Sequence, residues 1–143
     1  MKRIALATLA LTLGLAGAAF AETHQVQMLN RGEAGPMVFE PAFLRVAPGD
    51  TVHFVAADRG HNAESIDGMI PAGAEAFTSR VGQELEVTLD TEGVYGVRCT
   101  PHYAMGMVMT IVVGDASAAP EAFLAGRIPP RARERFEAQL GNL

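Results

Sequence analysis

Between residues 22 and 114 the chain is divided every several residues by turn-forming residues, with short alternating or β-branched runs between them. In Thr51–Val55, for example, Val52 and Phe54 fall on one side of an extended chain while their neighbours fall on the other. A period of two is the geometry of a β-strand, whose successive side chains point to opposite faces. The pattern therefore predicts an all-β fold in which the inward faces close a sandwich core.

Six candidate strands follow from this pattern: Thr23–Leu29, Phe43–Ala47, Thr51–Ala56, Glu84–Leu89, Val94–Cys99 and Met107–Val113. Residues 64–82 contain Gly, Pro and small side chains, which indicate an irregular segment with one helical turn near Ala74–Phe77. Residues 115–143 are rich in Ala, Glu and Arg and predict two short helices, Ala116–Leu124 and Pro130–Leu140. Four arginines balance four acids there, so we expect a cover packed on the sandwich rather than a charged arm.

The N-terminus has the form of an export signal. Two cations precede an apolar run over residues 4–15, and Ala19-Phe20-Ala21 has the small-x-small form of a signal peptidase site. Residues 4–20 are nearly long enough to span a bilayer, which makes a retained membrane anchor the alternative. The cleavage motif and the polar residues after it favour removal of residues 1–21. We therefore expect an exported protein that has no membrane contact after cleavage.

Charge excludes one class of function. Residues 1–21 carry two cations and no acid, so the formal charge of −5 for the whole chain becomes −7 for residues 22–143. Lysine is absent from residues 22–143, and the whole excess of acid falls on residues 22–114, which have five arginines and 12 acids. This balance argues against broad nucleic-acid binding. About 120 residues suit one compact domain.

One short loop combines a thiol, an imidazole and thioethers. The string CTPHYAMGM contains the single cysteine, Cys99, with His102 three positions later and two methionines beyond it. A lone cysteine in an exported protein cannot form an internal disulfide, so coordination or catalysis is expected for it. A second histidine, His61, lies 38 positions upstream in a turn-like stretch. Two histidines, a cysteine and a weak axial methionine are the ligands of a blue-copper site.

Two neighbours of these residues are suited to holding them in place. Pro101 has a fixed φ and no N–H, so we expect it to stiffen the loop and to withhold one donor from the sulfur. Asn62 can join the two ligand loops through its side-chain amide. The alternatives are that Cys99 is a buried core thiol and that His61 and His102 are ordinary surface residues. The joint spacing of the three favours a metal site.

Several segments closely resemble those of one protein family, the pseudoazurins, which are bacterial periplasmic cupredoxins. They are GPMVFEPAFLRVAPGDTV, GHNAESIDGMIPAGAEAF, GVYGVRCTPHYAMGM and the two-helix tail, so the resemblance runs from about residue 23 to the C-terminus. Plastocyanins and amicyanins share the ligand types but lack the tail and the GMIPAGAEAF segment. The resemblance implies an eight-stranded Greek-key cupredoxin β-sandwich with one type 1 copper ion.

The resemblance also implies roles for single residues. The metal ligands of the family fall on His61, Cys99, His102 and Met107. Its second-shell amide falls on Asn62, and the methionine that packs beside the exposed ligand histidine falls on Met37. Met105 and Met109 compete with Met107 for the axial position. A ligand eight residues after the cysteine, as in plastocyanin and pseudoazurin, favours Met107, whereas a spacing of six, as in amicyanin, favours Met105.

The function implied by the resemblance is one-electron transfer without any enzymatic step. The implied partners are copper-type or haem-type nitrite reductase, or nitrous oxide reductase, with a c-type cytochrome as donor, and we expect a monomer. Electrons would leave through His102, surrounded by an apolar patch of Pro36, Met37, Pro101 and Met105. Pseudoazurins commonly ring this histidine with lysines, and the candidates to replace them are Arg31, Arg59, Arg80 and Arg98.

Two other classes of function compete with electron transfer. A Cys–His pair is also used by thiol hydrolases, but no third group that would orient such a pair stands out in the sequence. A periplasmic copper chaperone or storage protein is the second alternative. Such proteins favour exposed, exchangeable Cys or Met clusters, whereas one cysteine and two histidines from separate segments indicate a closed site.

Overall fold

A computed structural model describes residues 20–143, so most of the predicted export signal lies outside the described residues. Eight strands are formed: β1 Thr23–Gly32, β2 Gly35–Glu40, β3 Phe43–Val46, β4 Asp50–Val55, β5 Glu64–Ser65, β6 Leu85–Leu89, β7 Gly93–Arg98 and β8 Val108–Val113. Two 3-10 helices, Thr100–Met105 and Glu121–Leu124, and one α-helix, α1 Pro130–Leu140, complete the chain. None of the helices in residues 20–143 is long and apolar enough to cross a membrane.

The strands form two four-stranded sheets, with the orders β2-β1-β4-β6 and β3-β8-β7-β5. One pair in each sheet is parallel, β1 with β4 and β3 with β8, and the other neighbouring strands are antiparallel. Alternation explains the core: in β4, Val52 and Phe54 are fully buried, while their neighbours along the strand are half-buried. Phe54 meets Phe39 of β2 edge to face at a centroid distance of 5.9 Å. The all-β sandwich predicted from the sequence is confirmed.

Strand β8 is buried along its whole length because both of its faces are covered. On the outer face α1 packs through Ala132 and Phe136, and Phe136 lies edge to face against Phe123 at 6.1 Å. The buried Gln139 side chain donates to the Val108 carbonyl at 3.0 Å and accepts from the Thr110 hydroxyl at 2.9 Å. These contacts hold α1 against β8, the strand that directly follows the 99–107 loop.

The alternating pattern located six of the eight strands and missed two. Strand β2 contains Pro36 and Met37, the latter with a φ of 51°, so it has neither a clean alternation nor a uniform strand backbone. Strand β5 is only two residues long and exists because Glu64 and Ser65 pair with the end of β7. Neither strand has a local signal of the length that a period-two pattern needs.

Two helical predictions were wrong in detail. There is no helical turn at Ala74–Phe77: the Phe77 carbonyl accepts from the Ser65 amide at 2.9 Å, which holds this stretch extended beside β5. The predicted helix Ala116–Leu124 is reduced to the 3-10 turn Glu121–Leu124. Pro120 lacks an N–H and disfavours a helical conformation in the residue before it, which prevents a longer helix. The second predicted helix has the bounds of α1.

Asp50, at the start of β4, is a buried carboxylate that closes one end of the sandwich. It accepts from the Glu22 amide at 2.9 Å, the His24 ring at 2.9 Å and the Ala47 amide at 2.9 Å. These hydrogen bonds lower the pKa of Asp50 from 3.8 to about 2. The bond from Glu22 has the largest effect, followed by those from His24 and Ala47. The ionised form is therefore bound more tightly in the folded state than in the unfolded chain.

Replacing Asp50 by Asn is expected to lower the free energy of unfolding at pH 7 and to do so much less near pH 2. Because the folded pKa lies below the unfolded one, the stabilisation is complete above about pH 4 and disappears as pH falls toward 2. Urea unfolding at pH 7, 5, 3 and 2 measures this difference, with Asp67→Asn as a control at an exposed carboxylate. A stability difference that stays constant over this range would contradict the prediction.

Candidate metal centre

Three side chains that carry metal-binding atoms meet at one end of the sandwich. The Sγ of Cys99 lies 3.7 Å from Nδ1 of His61 and 3.6 Å from Nδ1 of His102, and the two Nδ1 atoms are 3.1 Å apart. All ligand atoms of this group lie within 4.8 Å of one another. His61 and Cys99 are fully buried, whereas His102 is half-buried. The spacing argument thus named three residues that the fold brings together.

Two of these residues belong to the loop that joins β7 to β8. Cys99 directly follows β7 and caps the 3-10 helix Thr100–Met105, in which Pro101 occupies the first turn. The Cys99 amide donates to the Met107 carbonyl at 3.0 Å, and the Met107 amide donates to the His102 carbonyl at 3.1 Å. Gly106, with a φ of 88°, makes the turn back toward β8. Backbone hydrogen bonds within the loop therefore hold Cys99, His102 and Met107 close together.

His61 is oriented by Asn30, a residue that sequence reasoning missed. The Nε2 of His61 lies 2.9 Å from the side-chain oxygen of Asn30, which only accepts hydrogen bonds. The proton is therefore on Nε2, and the Nδ1 that faces Cys99 keeps its lone pair free for a metal. The backbone N–H of Asn30 in turn donates to the Asp58 carboxylate at 2.7 Å, which ties β1 to the loop that carries His61. Asn30 and His61 are 31 positions apart, and a contact over that distance leaves no periodic pattern in the sequence from which it could be predicted.

Asn62 connects the two ligand loops. Its side-chain oxygen accepts from the Thr100 amide at 2.7 Å, and its Nδ2 lies 3.2 Å from both the Thr100 hydroxyl and the Ser79 carbonyl. Thr100 also donates its hydroxyl to Glu64 at 2.5 Å. The chain segments directly after Cys99, directly after His61 and around Ser79 therefore form one hydrogen-bonded unit.

The electrostatics of the group suit a metal cation. Burial raises the pKa of the Cys99 thiol, and backbone N–H groups of Asn62 and His102 oppose that change. Burial, and then the nearby His102, lowers the pKa of His61, whereas Asp58 raises it. Neutral imidazoles and a thiol that loses its proton when a cation binds are the forms that coordination requires. The donor set of one sulfur and two nitrogens therefore fits a copper ion.

The three candidate methionines lie in different surroundings. Met107 is fully buried in the core cluster that contains Cys99, whereas Met105 is 45% exposed. Met109 is buried within β8 and pairs with Val97. Met37 is half-buried and packs against the same core cluster as Met107.

The residues expected to form a docking surface have unequal exposure. Pro101 and Met105 are exposed and Pro36 and Met37 half-buried, and among the cations Arg31, Arg59 and Arg80 are exposed. Arg98 differs, because it bonds the Glu64 carboxylate at 3.2 and 3.3 Å and lies 5.2 Å from the Tyr103 ring centre. The Arg98 hydrogen bond is the main cause that lowers the pKa of Glu64. The positive charge of Arg98 is therefore largely neutralised by Glu64.

Two four-stranded sheets with a cysteine and two histidines converging at one end define a cupredoxin, the fold of the small blue copper proteins. Residues 26–114 match the family of copper binding proteins described as the plastocyanin/azurin family. The chain belongs to that family and, within it, to the pseudoazurins.

The similarity to pseudoazurins covers most of the chain. The chain is 47% identical over 137 residues to pseudoazurin of Paracoccus pantotrophus, and the aligned residues cover 96% of this chain and 94% of that protein. It is 52% identical over 112 residues to pseudoazurin of Methylorubrum extorquens, covering 78% and 76%. A crystal structure of pseudoazurin from Methylobacterium extorquens superposes with a TM-score of 0.79 at 43% identity, covering 84% of this chain and 98% of that one. Membership in a copper-binding family agrees with the donor set of the centre.

Proposed function

We propose that this protein carries single electrons in the periplasm through one type 1 copper ion. The observation that carries the proposal is the difference in burial within the ligand group: His61 and Cys99 are fully enclosed, and His102 is half-buried. A bound copper ion supplies a one-electron couple between Cu(II) and Cu(I). His102 is then the ligand nearest to solvent, and its ring edge is the route by which a partner exchanges the electron.

In this proposal His61, Cys99, His102 and Met107 hold the ion. Asn30 keeps the His61 proton on Nε2, and Asn62 keeps the two ligand loops together. Ligands that are held before and after electron transfer need little rearrangement, which favours fast exchange. The protein makes and breaks no substrate bond, so it is not an enzyme.

The visible spectrum of the copper-loaded protein tests this function. A type 1 site is expected to give intense thiolate-to-copper absorption and a reversible one-electron wave at an electrode. A chaperone or store would instead release its copper readily to a competing chelator and show no such wave. The buried Cys99 disfavours that alternative, because exchange of the metal between proteins needs an accessible sulfur.

Replacing Met107 by Leu is expected to change both the spectrum and the reduction potential of the copper-loaded protein. Met107 is buried beside Cys99, so loss of its thioether removes the weak axial ligand that tunes a blue-copper site. Met105→Leu is the matched control, since that side chain is exposed. Electrochemistry and visible spectroscopy of both variants measure the effect. A spectrum altered by Met105→Leu alone would assign the axial position to Met105.

The partners we propose are redox proteins of denitrification. A copper-type or haem-type nitrite reductase, or nitrous oxide reductase, would accept the electron, and a c-type cytochrome would supply it. The docking surface would combine the apolar patch of Pro36, Met37, Pro101 and Met105 with Arg31, Arg59 and Arg80 around it. Cleavage after Ala21 would deliver the protein to the periplasm as a monomer.

A further inference from the structure

Arg135 of α1 bonds two chain segments that border the metal centre. Its Nη1 donates to the Met37 carbonyl at 2.7 Å and to the Gly106 carbonyl at 2.8 Å, and its Nη2 donates to the Pro36 carbonyl at 2.9 Å. Gly106 directly precedes Met107 in the ligand loop, and Met37 packs against the core that contains Cys99. One guanidinium therefore joins the C-terminal helix, β2 and the ligand loop.

The Met37 segment has a backbone conformation that needs external support, whereas the positive φ of Gly106 is one that glycine adopts without strain. Met37, at a φ of 51°, is the only non-glycine residue with positive φ in residues 20–143, and Gly106 has a φ of 88°. Strand pairing does not fix Met37, because β1 and β2 are paired at Leu29–Val38 and Arg31–Pro36 but not at the position between them. An L-residue persists in the left-handed region only where its surroundings hold it there.

Lysine would not provide the same link. The planar guanidinium presents five N–H groups in a fixed fork, whereas an ammonium is a single charged point on a flexible stem. Three carbonyls on two segments match the fork, and the half-buried position of Arg135 limits competition from water. Space around Gly106 is also restricted, since a Cβ there would lie 2.9 Å from Cγ of Arg131 and 3.2 Å from Cδ of Arg135.

We propose that Arg135 is a positioning residue, which clamps the ligand loop at Gly106 to the Met37 segment so that the metal ligands keep one arrangement during electron transfer. The inference rests on the electron-carrying function proposed above. The clamp restrains the residue next to Met107 and the segment beside the exposed end of the centre. Without it the loop would relax differently in the two oxidation states.

The test compares Arg135→Met with Arg133→Met in the same helix. Arg133 is also half-buried and also bonds backbone carbonyls, those of Leu124 at 2.8 Å and Gly126 at 3.4 Å, but these lie in the C-terminal tail. In the metal-free protein we expect Arg135→Met to speed hydrogen exchange of the Cys99 and Met107 amides about tenfold, the factor for one lost charged hydrogen bond. Exchange in the middle of β7 and β8 serves as the internal reference. Arg133→Met is expected to leave the loop amides unchanged.

The copper-loaded variants give the second readout. Arg135→Met is expected to broaden the electron paramagnetic resonance spectrum of Cu(II) and to slow electron self-exchange, and Arg133→Met is expected to do neither. Arg135→Lys is expected to behave like Arg135→Met, which separates the geometry of the fork from its charge. Equal effects of Arg135→Met and Arg133→Met, or full retention of loop protection by either Arg135 variant, would overturn the proposal. If the wild type lacked thiolate-to-copper absorption, the carrier function would fail, while the exchange data on metal-free protein would still decide whether the clamp exists.

Discussion

Cys99→Ala is expected to abolish the blue absorption and the one-electron wave while the β-sandwich stays folded. The thiolate is the source of the intense absorption, and the chain has no second cysteine to replace it. The core that surrounds Cys99 is formed by strands from both sheets, so the fold does not depend on a metal as a zinc finger does. Removing one sulfur costs about 0.5–3 kcal/mol, against a total stability of about 5–15 kcal/mol.

Visible spectroscopy, electrochemistry and far-ultraviolet circular dichroism of the metal-free variant measure the two halves of this prediction. Met109→Leu is the matched control, because it is also a buried sulfur side chain and the substitution conserves volume. It is expected to keep the absorption. Loss of the sheet signal in metal-free Cys99→Ala would show that the sulfur, or the metal it binds, is needed for folding.

The extent to which the sequence predicts this fold depends on how local each element is. Strands such as β4 and β8 were found because alternation, or a run of β-branched residues, is present within the strand itself. Strand β5 has no such pattern, since its two residues become a strand only by pairing with Arg98 and Val97 of β7. The predicted turn at Ala74–Phe77 failed for the same reason, because a hydrogen bond from Ser65 decides its conformation.

The metal centre follows the same rule. Cys99 and His102 are three residues apart, so the spacing of ligand types was visible, and His61 was recognised as the second histidine from its turn-like stretch. Apart from the side-chain amide directly after His61, the groups that orient these ligands were not visible in the sequence. Asn30 reaches His61 across 31 positions, and Arg135 reaches Met37 across 98. Such contacts depend on sheet order and on how α1 packs, which no short motif records.

Charge was predicted only in part. The sequence named four arginines for docking, yet the structure pairs Arg98 with Glu64 and brings Arg131 of α1 next to Gly106 in the ligand loop. A net charge of zero over residues 115–143 gave no sign that two arginines of α1 contact the ligand loop at Gly106. The position of a charge, rather than the sum over a segment, determines what a partner meets.

The double variant Arg59→Glu/Arg80→Glu is expected to slow the reaction with an acidic nitrite reductase by about tenfold or more at low ionic strength. Arg59 lies two residues before His61, and Arg80 follows Ser79, whose carbonyl binds Asn62, so both cations are close to the ligand loops. Both are exposed, and neither forms an ion pair within the described residues. With a formal charge of −7 on residues 22–143, attraction to an acidic partner requires positive charge concentrated at the contact surface.

Stopped-flow rates at increasing salt measure this effect, together with the reduction potential of each variant. Screening at 1 M salt shortens the reach of a charge to about 3 Å, so the difference between variant and wild type is expected to vanish there. Arg45→Glu is the control for each single variant, Arg59→Glu and Arg80→Glu, because it makes the same change in charge as either of them and Arg45 pairs with Val112 at the end of β8, far from the ligand loop. It is expected to slow the reaction much less. Equal rates for wild type and the double variant at low salt would show that the surface around His102 docks by apolar contact alone, through Pro101 and Met105.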